Sequence, residues 1–110
     1  MCIRDSLLRV FNNLITNALQ AVPEGTHGKV DVVLRRDGDH AVAEVRDNGS
    51  GVPEEIRDRI FEPNFTTKSS GMGLGLAMVK RMVEQAGGSV WFETSHGTGT
   101  VFFVRLPLVP

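Results

Sequence analysis

The order in which two hydrophobic periodicities follow one another constrains this chain more than any single residue. Leu7, Leu8, Phe11, Leu14, Ile15, Ala18, Leu19 and Val22 recur at three- and four-residue steps, which predicts an amphipathic helix from Leu7 to Val22. Asp5 or Ser6 can cap it, and Pro23-Glu24-Gly25 stops it. Lys29 to Arg36 reads as a strand, joined through Asp37-Gly38 to a second strand from His40 to Arg46 in a hairpin. A short helix from Pro53 to Ile60 and a loop from Phe61 to Ser70 come next. A second amphipathic helix, Leu74 to Ala86, is ended by Gly87-Gly88. Strands Ser89 to Thr94 and Thr100 to Leu106 close the chain, with Trp91, Phe92, Phe102 and Phe103 divided between core and surface. This order predicts an α+β fold, a two-layer α/β sandwich whose mixed, mostly antiparallel sheet carries helices on one face. At 110 residues and 41% hydrophobic composition there is material for one core and not for two.

That order also excludes several classes. Helices and strands do not alternate one for one, and the glycine run at Gly71 does not follow a strand directly, so a parallel dinucleotide-binding sheet is not expected. No glycine run ends in Lys followed by Ser or Thr at the spacing of a phosphate-binding P-loop. A net charge of -1 with scattered basic residues gives no field for nucleic acid. The single cysteine, Cys2, permits no internal disulfide and no multi-cysteine metal site, which fits a reducing compartment, and the expected location is cytoplasmic. No run of about 18 apolar residues occurs, so this segment is not expected to touch a membrane directly. His27, His40 and His96 fall in turns or at strand ends, with no nucleophile or metal-ligand spacing beside them.

Three short segments carry chemistry. On the first helix, Asn13 and Asn17 are one turn apart with Gln20 a turn further, a polar edge beside the apolar stripe. Asparagine disfavours helix interiors, so its retention there points to a task for the amide. Mg2+ takes oxygen ligands and keeps several waters, so one amide oxygen with triphosphate oxygens would suffice, and Asn17 is placed on the metal. Asp47 ends an apolar strand within Asp47-Asn48-Gly49-Ser50-Gly51. A carboxylate at the floor of a pocket can accept from the exocyclic amine of adenine, where guanine offers a carbonyl. Gly49 and Gly51 would let the backbone pass close to the purine, because a Cβ at either would take ring space. Gly71, Gly73 and Gly75, with Met72, Leu74 and Leu76 between and after them, bring backbone N–H groups to the start of the second helix, a natural phosphate site. Before them Thr66, Thr67 and Lys68 supply hydroxyls and a cation for a mobile lid over the phosphates. The Thr100 hydroxyl could support Asp47, although a threonine at a strand start is equally a matter of β-propensity.

Taken together, the motifs resemble the catalytic and ATP-binding domain of two-component sensor histidine kinases, within the superfamily that shares the Bergerat ATP-binding fold with type II topoisomerases, mismatch-repair ATPases and heat-shock chaperones. Arg9 to Ala18 resembles its asparagine motif, Asp47 to Gly51 its DxGxG motif, Phe61 to Lys68 its phenylalanine motif, Gly71 to Leu76 its GxGLGL lid motif, and Gly97-Thr98-Gly99-Thr100 its last glycine motif. The brief lid and the Leu-Gln-Ala after the asparagines look like the nitrogen-regulation branch. Asn64 stands where that branch usually has an aromatic residue, and Gln20 where other branches have a basic one.

The resemblance implies ATP and Mg2+ as cofactors, Asn17 and Asn13 at the metal, a catalytic part for Asn13, adenine recognition by Asp47, and docking of a neighbouring helical domain by Phe61 and Phe65. It implies two partners, a phosphoacceptor helical hairpin and a response regulator, and a homodimeric full-length protein tethered to the inner membrane by other segments. No histidine here carries the pattern of the phosphoacceptor, so residues 7–110 are expected to be the ATP-binding part alone, and residues 1–6 look like an artificial start. Hydrolytic relatives carry a Glu where this chain has Asn13, and an amide cannot take a proton from water at neutral pH. Histidine phosphorylation is therefore the leading expectation. The alternatives are a non-enzymatic nucleotide-binding module and an anti-sigma-type protein-serine kinase.

Overall fold

Helix α1 spans Ile3–Ala21, longer at its start than the apolar pattern predicts. Ile3 continues the four-residue spacing of Leu7 and Phe11 backward, so the helix starts upstream of Asp5 and Ser6 and neither is its cap. In the computed structural model, residues 3–21, 28–49, 51–52, 54–62, 76–95 and 98–107 are described. After α1 come strands β1 (Val30–Asp37) and β2 (His40–Asp47), a single 3-10 turn at Glu54–Ile56, helix α2 (Leu76–Gln85), and strands β3 (Ser89–Ser95) and β4 (Gly99–Pro107). The predicted short helix to Ile60 is only that one turn. His40 opens β2 and is partly buried rather than fully exposed.

The β1–β2 hairpin turns on Gly38-Asp39, one residue later than the pattern suggests, because Asp37 still pairs with His40. The sheet order is β1-β2-β4-β3, and every described pairing is antiparallel, in keeping with the mostly antiparallel sheet expected and without the minority of parallel pairing that a mixed sheet would add. The physical reason is in the connections. A helical crossover through α2 separates β2 from β3, which run parallel, but β4 returns by a hairpin into the gap and pairs antiparallel with both.

Ala43 and Val45 of β2 and Phe102 and Val104 of β4 point to one face and pack with Val10, Leu14 and Ala18 of α1 and Val79 and Val83 of α2. All are buried, and this single layer between helices and sheet is the core. Phe61 closes one side of it, its ring 6.0 Å from Phe92 and 6.3 Å from Phe102. That partly buried ring packs on the core. Helix α2 ends as predicted at Gly87-Gly88, with Gly88 N–H donating to Val83 C=O at 2.9 Å and Gly87 N–H to Glu84 C=O at 3.0 Å.

The opposite face of the sheet has no helix over it among the described residues, yet Val42 and Glu44 are buried there. Val42 stands in register between Arg35 and Arg105, whose aliphatic stems can shield it. Trp91 stacks flat on Phe103 with ring centroids 5.1 Å apart. Glu44 accepts from Arg35 Nε at 3.1 Å and from Arg46 Nη2 at 2.6 Å. The hydrogen bonds from Arg46 and then Arg35 hold its carboxyl below the usual carboxylate range, against the opposing effect of burial. A depressed pKa contributes stability above the unfolded value and loses it as pH falls through the folded one. Both arginines are half exposed and can be rehydrated, so Glu44→Gln should cost only about 1–2 kcal/mol in urea unfolding at pH 7. The gap between the two proteins should close in acid, and equal stability at pH 7 would contradict this account.

Candidate functional site

Strand alternation decides where Asp47 points. Ala43 and Val45 face the helices, so Asp47, two residues on, faces them too, at the end of β2 and opposite Thr100 of β4. Beyond this row the core gives way to polar groups. Asp47 is half buried and accepts from Gly49 N–H at 2.9 Å through Oδ1, an Asx turn. Burial raises its pKa above the ordinary aspartate value, and backbone hydrogen bonds from Gly49 and Thr100 oppose this without cancelling it. A carboxylate has about four lone-pair sites, so two donors leave capacity for a ligand.

Asn17 lies on α1 between the core residues Leu14 and Ala18, and is itself buried at 3% exposure. Helix α1 packs on β2, so Asn17 and Asp47 both face the layer between helices and sheet. Among the described residues the Nδ2 of Asn17 has no hydrogen-bond partner. Nδ2 is a donor that a ligand oxygen can satisfy, and Oδ1 is a separate acceptor on the same amide. Leaving a buried polar group unpaired costs about 1–3 kcal/mol, so a ligand that engages it is favoured. The oxygen is a hard donor of the kind Mg2+ takes, and the residue present fits that ion. Asn13, one turn earlier, is partly exposed, and its amide donates to the Arg9 carbonyl at 3.0 Å.

Other expected site residues fall differently. Gly49 is buried beside Asp47. Gly51 has φ +88, and a Cβ there would come within 2.7 Å of Ser95 C=O and 3.1 Å of Thr94 Oγ1. Glycine is therefore required at 51 by packing against β3, a reason different from the purine clearance expected of it. The Thr100 hydroxyl meets Thr94 Oγ1 at 2.9 Å, while its backbone N–H is the group that supports Asp47. Leu76 begins α2 with its side chain in the core, so contact with a phosphate there can come only from its backbone N–H. Thr66, Thr67, Lys68, Gly71, Met72, Gly73, Leu74 and Gly75, with Asn64 and Phe65, lie outside the described residues, as do His27 and His96. So does the side chain of Gln20.

Sequence reasoning missed three residues that build this site. Asn48 Oδ1 accepts from Lys29 N–H at 2.8 Å and Asn48 N–H donates to Lys29 C=O at 3.2 Å, which extends the β1–β2 pairing past Asp47. Thr94 Oγ1 accepts from Val52 N–H at 2.8 Å. Arg57 Nε donates to Val52 C=O at 3.0 Å, so both backbone groups of Val52 are paired. The asparagine inside Asp-x-Gly was the one available signal, since it is a common turn former. Among the described residues no helix is long and apolar enough to cross a membrane, and no cluster of three or more His, Cys, Asp or Glu could hold a metal.

Comparison with known proteins identifies the family and the fold. The family described as "Histidine kinase-, DNA gyrase B-, and HSP90-like ATPase" matches residues 2–110. The chain is 41% identical to the sensor histidine kinase ZraS of Escherichia coli (strain K12), over 94% of this chain and 22% of that protein. It is 36% identical to sporulation kinase E of Bacillus subtilis (strain 168), over 97% of this chain and 14% of that one. It thus spans about a fifth or less of the curated relatives it matches. Among solved structures it superposes on the catalytic domain of histidine kinase ThkA with a TM-score of 0.83 and 33% identity, covering 97% of this chain and 70% of that one.

Proposed function

The chain belongs to the histidine kinase-, DNA gyrase B- and HSP90-like ATPase family and is a domain of the histidine kinase catalytic type, and from that membership we propose that it binds Mg-ATP and donates the γ-phosphoryl group to a histidine on a separate helical domain. The observation that carries the reading is the half-buried Asp47 carboxylate, facing the interlayer at the end of β2 beside Thr100. It would accept from the adenine amine, and guanine would leave it facing a carbonyl. Asn17 would offer its amide oxygen to Mg2+, with Asn13 beside it. When bound, the ion neutralises phosphate charge and orients the γ-phosphoryl group.

Gly71 to Leu76 would meet the phosphates through backbone N–H groups, and Thr66, Thr67 and Lys68 would close over them. With an amide at Asn13 where hydrolytic relatives carry a base, water is left without a partner to take its proton, and phosphate stays for the acceptor histidine. In the full-length protein the acceptor domain, a response regulator and a second copy of the chain would complete the relay on the cytoplasmic side, where ATP is found. Calorimetry should give tighter binding of Mg-ATP than of Mg-GTP, by about tenfold or more for one mispaired buried acceptor. Equal affinities would remove the base-recognition claim. Steady, rapid phosphate release by the isolated chain would favour a hydrolytic enzyme instead.

A further inference from the structure

Thr94 joins three segments through one oxygen. Its hydroxyl accepts from Val52 N–H at 2.8 Å, lies 3.2 Å from the Gly99 carbonyl and 2.9 Å from Thr100 Oγ1. A hydroxyl has one proton and two acceptor positions. A carbonyl can only accept, so satisfying all three contacts at once requires Thr94 to donate to Gly99 C=O and to receive the proton of Thr100. Thr100 then has no proton left to offer and presents lone pairs alone, next to the Asp47 carboxylate, which also only accepts. The surroundings are tight on both sides. Beyond Gly51, a Cβ at Gly99 would overlap the Asp47 carbonyl, so the start of β4 is pressed against the strand end that carries the carboxylate.

We propose that Thr94 is a positioning residue for purine selection: it pins Val52 and the β4 start to the end of β3 and turns Thr100 into an acceptor, so that Asp47 and Thr100 together face an amine-bearing purine. This rests on the reading of the site as an adenine pocket. Removing the hydroxyl frees the Val52 N–H and lets Thr100 donate, which relaxes the preference against a purine carbonyl as well as loosening the loop.

The test compares Thr94→Val, Thr94→Ser and a control, Val42→Ala, a buried residue on the far face of the sheet, by calorimetry with Mg-ATP and Mg-GTP and by amide hydrogen exchange of the unliganded proteins. Thr94→Val should weaken Mg-ATP binding about tenfold and narrow the ATP-to-GTP preference, and should speed exchange at Val52. Thr94→Ser should restore all three. Val42→Ala should leave the purine preference and the Val52 protection relative to its neighbours as in the wild type. A purine preference unchanged in Thr94→Val, or one lost equally in Val42→Ala, would overturn the proposal while leaving ATP binding by the wild type intact. Failure of the wild type to prefer ATP would instead overturn the adenine reading, and with it any part for Thr94 in purine selection.

Discussion

Asp47→Asn should cost the protein its ATP and improve its fold. A hydrogen bond to a charged acceptor contributes about 1.5–3 kcal/mol, so replacing the carboxylate by an amide, which can turn its NH2 toward the purine, should weaken Mg-ATP binding about 10- to 200-fold. The stability change has the opposite sign. Burial, the largest influence on this group, raises its pKa in the folded protein, so its contribution to stability is full below the unfolded value and lost as pH rises through the folded one. At pH 7 the ionised side chain therefore weakens the unliganded fold, and the neutral amide, whose one oxygen has two lone pairs for the Gly49 and Thr100 N–H groups, relieves that cost. Thermal unfolding without nucleotide should give a higher Tm for Asp47→Asn than for wild type at pH 7, with the gap closing in acid. In the wild type, ATP affinity should fall as acid protonates Asp47. A variant that binds ATP normally, or that is less stable at pH 7, would contradict this.

Asn17→Ala should show the same opposition on the helix side. Removing a buried amide whose Nδ2 lacks a partner among the described residues relieves about 1–3 kcal/mol of desolvation, and alanine is the better helix former. Asn17 is flanked by the core residues Leu14 and Ala18, so the small cavity left offsets part of this gain, and a modest rise in Tm is the expected net. Nucleotide binding should lose its metal dependence. Titrations with and without Mg2+ should differ strongly for wild type and hardly at all for Asn17→Ala, with Mg-ATP affinity down about tenfold or more. Retained Mg2+ dependence would move the metal off Asn17. If both outcomes are found, Asp47 and Asn17 hold positions where binding and stability pull apart, as expected when a polar group is buried for a ligand.

The two periodicities were enough to place most of what the site needs. The three- and four-residue stripe of Leu7, Phe11, Leu14 and Ala18 put Asn17 on a buried helix, and period-two alternation put Asp47 on the same side as Val45. These are local properties of the chain, set by backbone geometry, so sequence alone determined them, along with the order of elements and the glycine stop of α2. Alternation also predicted that four aromatics divide between core and surface, and the β3–β4 register pairs Phe92 with Phe102 and Trp91 with Phe103.

Contacts between distant segments were decided only by the tertiary structure. Val52 and Thr94 are 42 residues apart, and nothing local to either predicts that they meet. The same holds for Gly51 against Ser95 and for Asn48 against Lys29. Glu44 sits on the strand face that alternation assigns to solvent, yet Arg35 and Arg46 from two strands close over it. A sheet's register fixes which remote side chains become neighbours, and that register follows from packing the whole chain at once. The sequence therefore set which residues can face the layer between helices and sheet, and the fold set what holds each one there.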